Sequence, residues 1–313
     1  MTAKVRNDRV ASFTSYINSM YSIILAWGWW TRLQPLSTEE KPKQFLPLIN
    51  EKTLLQNTVE RILQIDKDPQ HIFISIGTAH RDESLKQLES YNVDKMITEP
   101  ERRNTASAIA YIIKYLEDKE KVESDSVILV CPSDHHIAPV SKYASCIQEG
   151  LQYAQEWEIV LFGIKPDVPE TGYGYIKVDK IWISALPIQQ FVEKPNLEKA
   201  QEYLDAGNYF WNAGIFLFCI DVMKEEFKTF APEIYDHMQL PFDEFVARFS
   251  ELPKISIDCA VMEKTKKSIL IPMDLERSDL GNRDALWKYW IKDSDGNLIV
   301  GNKKIKYPNI IIE

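Results

Sequence analysis

The chain has 313 residues, 45% hydrophobic and 27% charged, a balance that suits one large α/β domain with an appendage, or two domains. Its net charge of −9 speaks against a general nucleic-acid binder, which presents a basic face. Four scattered cysteines with no CxxC pair predict reduced thiols, and the longest apolar run, Tyr21–Trp30, is too short to span a bilayer. Residues 1–19 hold no apolar core of the kind a secretory signal needs. Glycine is the odd count. Eleven glycines stand beside eight tryptophans, roughly half the usual glycine share of about 7%.

In chain order, Ser22–Ala26 (SIILA) has the look of a buried parallel strand. A polar, turn-like stretch runs on through Lys43. Thr53 then predicts an N-cap for a helix with apolar residues at Leu54, Leu55, Val59, Ile62 and Leu63. A strand is expected over His71–Ile76, a helix over Asp82–Tyr91, a short strand over Lys95–Thr98 and a helix over Thr105–Leu116. Val127–Cys131 predicts another buried strand, followed by a helix over 141–156 and a strand over Ile159–Gly163. Such alternation implies a mostly parallel sheet with helices on both faces.

After Pro166 the pattern changes. Strands are expected over Tyr173–Val178 and Ile188–Glu193, a helix over 197–206, and a strand over Phe210–Cys219. Helices at about 221–229, 232–238 and 242–250 precede a strand over Ser268–Pro272. The tail from Lys292 reads as short strands with Asp-Gly and Gly-Asn turns. No internal repeat or low-complexity segment is present.

Ligands of open α/β sheets gather at the carboxyl ends of strands, so the loop after the first strand comes first. It reads Trp27-Gly28-Trp29-Trp30-Thr31-Arg32-Leu33-Gln34-Pro35-Leu36-Ser37 and reaches Lys41-Pro42-Lys43-Gln44-Phe45-Leu46. A strand, a tight turn, Arg32 and then Lys43 suit a phosphate cradle, although such cations in a polar loop are more often solvated surface. The segment resembles the nucleotide loop of the sugar-nucleotidyltransferases, ILAGG-x-GTRL-x-PLS…PKQFL. Further blocks match in the same order. They are Glu99-Pro100 with Arg103-Asn104-Thr105-Ala106, Pro132-Ser133-Asp134-His135, and Pro169-Glu170-Thr171-Gly172-Tyr173-Gly174-Tyr175-Ile176. Phe191-Val192-Glu193-Lys194-Pro195, Trp211-Asn212-Ala213-Gly214, Ser256-Ile257-Asp258 and Ser278-Asp279-Leu280-Gly281 continue the series. The likeness runs from Met20 to about Asn302 and is closest to the mannose-1-phosphate guanylyltransferase branch of the family.

The resemblance implies an α/β fold with a Rossmann-like nucleotidyltransferase core and a mostly parallel mixed sheet at 20–230. A helical and strand part at 231–290 would complete the sugar and metal site, and 291–313 would form a short β tail. Residues 1–19 would be an extension or a misannotated start ahead of Met20. The implied reaction is transfer of GMP from GTP to mannose 1-phosphate, giving GDP-mannose and pyrophosphate by in-line attack on the α-phosphorus. Arg32 and Lys43 would hold the triphosphate and leaving pyrophosphate, and Lys194 the attacking phosphate. Asp134 and Asp279 would bind one Mg²⁺. Leu25, Ala26, Gly28 and Thr31 would line the nucleotide loop, with Arg103, Asn104, Thr105, Pro132 and Ser133 near the guanine. Gly172, Tyr173, Gly174, Glu193, Asn212, Gly214 and Asp258, beside Lys194, would read the sugar. The implied partners are GTP and mannose 1-phosphate in the cytoplasm, with no nucleic acid and no membrane; a homodimer is an open expectation.

Plainer readings stand beside these. Asp134 also suits a local turn, and Asp258 either caps a short helix at 259–264 or faces the sugar. His135 and His136 tempt as a metal pair, but neighbours on an extended chain point opposite ways.

Departures from the family pattern fall in the phosphate loop. Trp27 and Trp30 stand where the family has glycine, Trp29 where it has a small residue, and Trp157 at another glycine slot. Three indoles cannot let a backbone hug phosphates as glycine does. One reading is a catalytically dead binding or regulatory homologue. The other, which the retained Arg32, Asp134, Lys194 and Asp279 favour, takes these tryptophans as UGA codons that the source organism reads as glycine. Apart from the tryptophans, an alternative to the implied reaction keeps the enzyme class with a different sugar 1-phosphate and NTP. Leu275-Glu276-Arg277-Ser278 likewise replaces a Gly-Trp-Ser run beside Asp279.

Overall fold

The computed structural model describes residues 20–27, 33–34, 36–179, 185–280, 287–289, 298–300 and 303–305. The apolar runs assemble into one nine-stranded mixed sheet. Its first half is parallel: β1 (Met20–Leu25) lies between β2 (Ile72–Gly77) and β4 (Val127–Pro132), and β3 (Lys95–Glu99) flanks β2. Ile23 sits opposite Phe73 on one side and Val130 on the other, and all three are buried. Such strands are covered on both faces, which is why they read as continuous apolar runs.

The eleven-residue β9 (Tyr209–Cys219) runs antiparallel between β4 and β6 (Ile159–Ile164). Beyond β6 come β10 (Ser268–Pro272), β8 (Leu186–Val192) and β7 (Tyr175–Val178). Tyr175 lies opposite both Val192 and Trp211. The turn before β7, the turn after β8 and the Asn212–Gly214 stretch of β9 therefore start from neighbouring positions.

Helices form where the periodicity places them. Thr53 opens the helix Leu54–Leu63 with a full capping box: its hydroxyl accepts from the Gln56 N–H, and the Gln56 side chain accepts from the Thr53 N–H. The helix Asn104–Asp118 buries Ala106, Ile109, Ile112, Ile113 and Leu116 against the sheet. The helix Val140–Gln155 ends in a Schellman turn, with the Glu158 N–H donating to the Tyr153 carbonyl at 3.2 Å. At the turn's left-handed position stands Trp157, with φ +69° and 55% exposed.

One element has no counterpart among the expected strands. A two-stranded ribbon pairs β5 (His136–Ala138) with β11 (Glu276–Ser278), placing Ile137 opposite Arg277. It ties the turn after β4 to the segment leading into Asp279. In the tail, β12 (Leu298–Val300) and β13 (Lys303–Ile305) pair antiparallel.

Candidate active site

Two cavities open where β1 and β4 end. Leu25, Thr105 and Pro132 belong to the walls of both, so the two spaces adjoin.

The smaller cavity, about 300 Å³, gathers Gly172, Tyr173, Gly174, Glu193, Lys194, Asn212, Gly214 and Asp258, every residue expected at the sugar. Asn212 is its organiser. Its Nδ2 donates to Asp258 Oδ1 at 3.0 Å, and its Oδ1 accepts from the Gly214 N–H at 3.0 Å. Asp258 does not cap the short turn Asp258–Met262; the Ser256 hydroxyl accepts from the Cys259 N–H instead. Burial, reinforced by the negative charge of Glu193, pushes the Asp258 carboxyl up to about 7. Lys194 pairs with Glu193 at 2.6 Å and holds a left-handed backbone, φ +45°. At Gly174 a Cβ would lie 2.8 Å from Glu193 Oε2, so only glycine lets that carboxylate close over the turn.

The larger cavity, about 610 Å³, is lined by Arg103, Asn104 and Thr105 as expected, and by Asp134. The Thr105 hydroxyl accepts from the Ile257 N–H at 2.8 Å, and the Arg103 guanidinium is engaged by Glu101 and the Leu252 carbonyl. Ala26 and Ser133 are buried at the junction of β1 and β4. There the Ala26 carbonyl accepts from Gln44 Nε2 and the Ser133 N–H donates to the Leu25 carbonyl. Gly28, Thr31 and Arg32, with Trp29, Trp30, Trp182 and Trp290, lie outside the described residues.

Trp27 contributes a wall that the motif comparison did not supply. Its indole N–H donates to Glu99 at 2.6 Å, its carbonyl accepts from Arg102, and the Arg102 guanidinium lies 5.0 Å from the ring centre. The ring lies flush on Gly77, where a Cβ would come within 2.7 Å of it. Burial pushes the Glu99 carboxyl up to about 7 against the hydrogen bonds from Ser75 and Trp27.

Asp134 and Asp279 converge on one cation. Lys43, itself buried, pairs with Asp134 at 2.8 Å and donates to the Asp279 backbone carbonyl, while the Tyr173 hydroxyl donates to Asp279 Oδ1 at 3.1 Å. Arg61 braces this turn from below, donating to the His135 carbonyl and to Thr58, whose hydroxyl donates to the Ser133 carbonyl. His135 and His136 diverge, one buried beside Arg277 and the other against the Tyr289 ring.

Residues 21–295 match the family described as nucleotidyl transferase. The chain belongs to the nucleotidyl transferase family. It is 36% identical over 307 residues to a mannose-1-phosphate guanylyltransferase of Escherichia coli (strain K12), covering 91% of this chain and 63% of that protein. It is 39% identical over 304 residues to that of Salmonella montevideo, covering 90% and 62% respectively. The chain thus spans somewhat under two thirds of the length of these relatives. A crystal structure of a mannose-1-phosphate geranyltransferase from Thermus thermophilus shares the fold, with TM-score 0.77 and 31% identity, covering 88% of this chain and 80% of that one.

Nucleotidyl transferases of this family generally use a divalent metal. Among the described residues no cluster of three or more His, Cys, Asp or Glu is preassembled for one. The Asp134–Asp279 pair still fits such an ion: the donors are hard oxygens, the Lys43 ammonium already sits between the two residues, and a small divalent ion commonly takes only one or two carboxylates with phosphates completing its shell. Among the described residues no helix is long and apolar enough to cross a membrane.

Proposed function

We propose that this nucleotidyl transferase moves GMP from GTP to mannose 1-phosphate in the cytoplasm, releasing pyrophosphate. One observation carries the reading: the residues expected to read a sugar line a single small cavity that shares walls with a larger one bearing the nucleotide-side motif. The names of the relatives supply the substrate pair.

In this mechanism the larger cavity holds the nucleotide and the smaller one the sugar phosphate. Asn212, Glu193 and Asp258 accept from and donate to hydroxyls, fixing the sugar so that its phosphate faces the α-phosphorus. Lys194 steadies the attacking phosphate. A phosphate oxygen bonds to the α-phosphorus as the bond to the β-phosphate oxygen breaks. Lys43, with Arg32, neutralises the charge gathering on the leaving pyrophosphate. Asp134 and Asp279 would hold Mg²⁺, which when bound supplies charge neutralisation across the phosphate oxygens.

Pyrophosphate release measured against a panel of NTPs and sugar 1-phosphates tests the reading. GTP with mannose 1-phosphate is the pair expected to turn over fastest, and a faster alternative pair would reassign the substrates. Trp27 in the cavity wall favours a second reading for the chain with tryptophan at these positions, a homologue that binds but does not turn over. Assaying that chain beside one carrying glycine at 27, 29 and 30 separates the two: turnover only in the glycine form supports the enzyme, and none in either supports the binding homologue.

A further inference from the structure

Arg277 is a chemistry-bearing residue that the motif comparison left without a role. It rides on β11, opposite Ile137, and lines the smaller cavity together with Lys194 and Asn212. Its Nη2 donates to the Ala213 carbonyl at 3.1 Å and lies 3.3 Å from His135 Nε2, while the guanidinium sits 4.8 Å from the centre of the Tyr173 ring. These contacts fix the plane of the group. Its Nε and Nη1 are buried and have no hydrogen-bond partner among the described residues, and buried donors in that condition are rare and carry a standing cost.

We propose that Arg277 is a specificity-determining residue that binds the phosphate of the sugar phosphate. The inference rests on the sugar-phosphate reading of this cavity. The charges around the space favour it. Among the described lining residues the cations are Lys194 and Arg277, and Lys194 is paired with Glu193. Glu193 and Asp258 suit hydroxyl donors, not an anion, and the third carboxylate of the lining, Asp279, already accepts from the Tyr173 hydroxyl. A phosphate entering between them turns toward the arginine, whose planar, weakly hydrated guanidinium suits phosphate oxygens. The place is also mechanistically apt, because β11 runs directly into Asp279.

Calorimetric titration of mannose 1-phosphate into the full chain tests the proposal without requiring turnover or an intact nucleotide loop. Arg277→Gln is expected to weaken binding at least tenfold, and Arg277→Lys, which keeps the charge but not the planar group, by a smaller factor. As pH falls below the second phosphate ionisation the arginine contact weakens, while Asp258 of the same cavity takes up its proton in both forms; the gap in affinity between wild type and Arg277→Gln is therefore expected to narrow. A purely structural strut would not produce that narrowing. Equal affinity in wild type and a folded Arg277→Gln, or in Arg277→Lys should the glutamine form not fold, overturns the role of the arginine alone. No binding by the wild type overturns the sugar-phosphate reading itself. In that event inorganic phosphate is titrated in place of the sugar: binding by wild type but not by Arg277→Gln upholds an anion site at Arg277, and any other result removes it.

Discussion

The Trp27 indole N–H donates to the Glu99 carboxylate at 2.6 Å, across a gap of sequence that joins the end of the first strand to the end of the third. This pair closes one wall of the larger cavity. It also gives a buried acid a partner that lowers its pKa less than burial raises it.

Glu99 and Asp258 both sit near 7 in the folded chain, above their ordinary values of 4.5 and 3.8. Between the ordinary and the raised value the folded state therefore binds more protons than the unfolded one, and stability falls as pH rises toward 7, then levels off. Each group accounts for at most about 3–4 kcal/mol, at 1.36 kcal/mol per unit. Urea unfolding midpoints are expected to decline from pH 5 to pH 8, and Glu99→Gln and Asp258→Asn each to flatten that decline.

Removing either aspartate of the pair tests the catalytic arrangement. Asp134→Asn and Asp279→Asn are each expected to lower kcat by roughly a hundredfold or more, the scale of losing one electrostatic contributor at a reacting phosphate. Asp134→Asn carries a second expectation, because it strips the buried Lys43 ammonium of its carboxylate. Thermal unfolding should show it less stable than Asp279→Asn, by about 1–3 kcal/mol.

Asn212 divides its amide between Asp258 and the Gly214 N–H. Asn212→Ala frees both, so the sugar contacts loosen while the larger cavity is untouched. Steady-state kinetics are expected to show KM for the sugar phosphate raised roughly tenfold, about 1.4 kcal/mol, with KM for the nucleotide within about twofold.

Trp157 offers a stability test far from the chemistry. Its φ of +69° is a conformation that costs an L-residue about 1–2 kcal/mol, and with 55% of its surface exposed the indole recovers little by packing. Trp157→Gly removes that strain and gives back part through the unfolded chain's added freedom. A net gain of about 0.5–1 kcal/mol is expected in urea unfolding. An unchanged midpoint would mean that the backbone is satisfied with tryptophan there.

Much of this architecture is legible in the sequence because the physics is local. The capping box at Thr53 and Gln56, the apolar spacing of Asn104–Asp118 and the unbroken runs of β1, β4 and β6 each announce themselves within a dozen residues. The smaller cavity is legible for another reason: Gly172–Gly174, Glu193–Lys194 and Asn212–Gly214 are short blocks in a recognisable order, and the sheet register brings them together. The ribbon of His136–Ala138 with Glu276–Ser278 is not legible, since three-residue strands have no period to read and their pairing depends on distant chain. The lodging of Trp27 on Gly77 and Glu99 is equally hidden. It follows from three strand ends meeting, and a motif comparison registers the tryptophan only as a mismatch.

That ribbon also sets an order of events in the life of the chain. The parallel strands β1 to β4 are all made by Pro132, yet the turn that bears Asp134 is joined to the segment leading into Asp279 only after Glu276–Ser278 has been made and has returned across most of the domain. Contacts of such long range form late, because loop closure precedes any reward. A growing polypeptide therefore has the parallel half of its sheet before the segments bearing the two aspartates are joined. The cation binding proposed for Asp134 and Asp279 would then mark completed assembly.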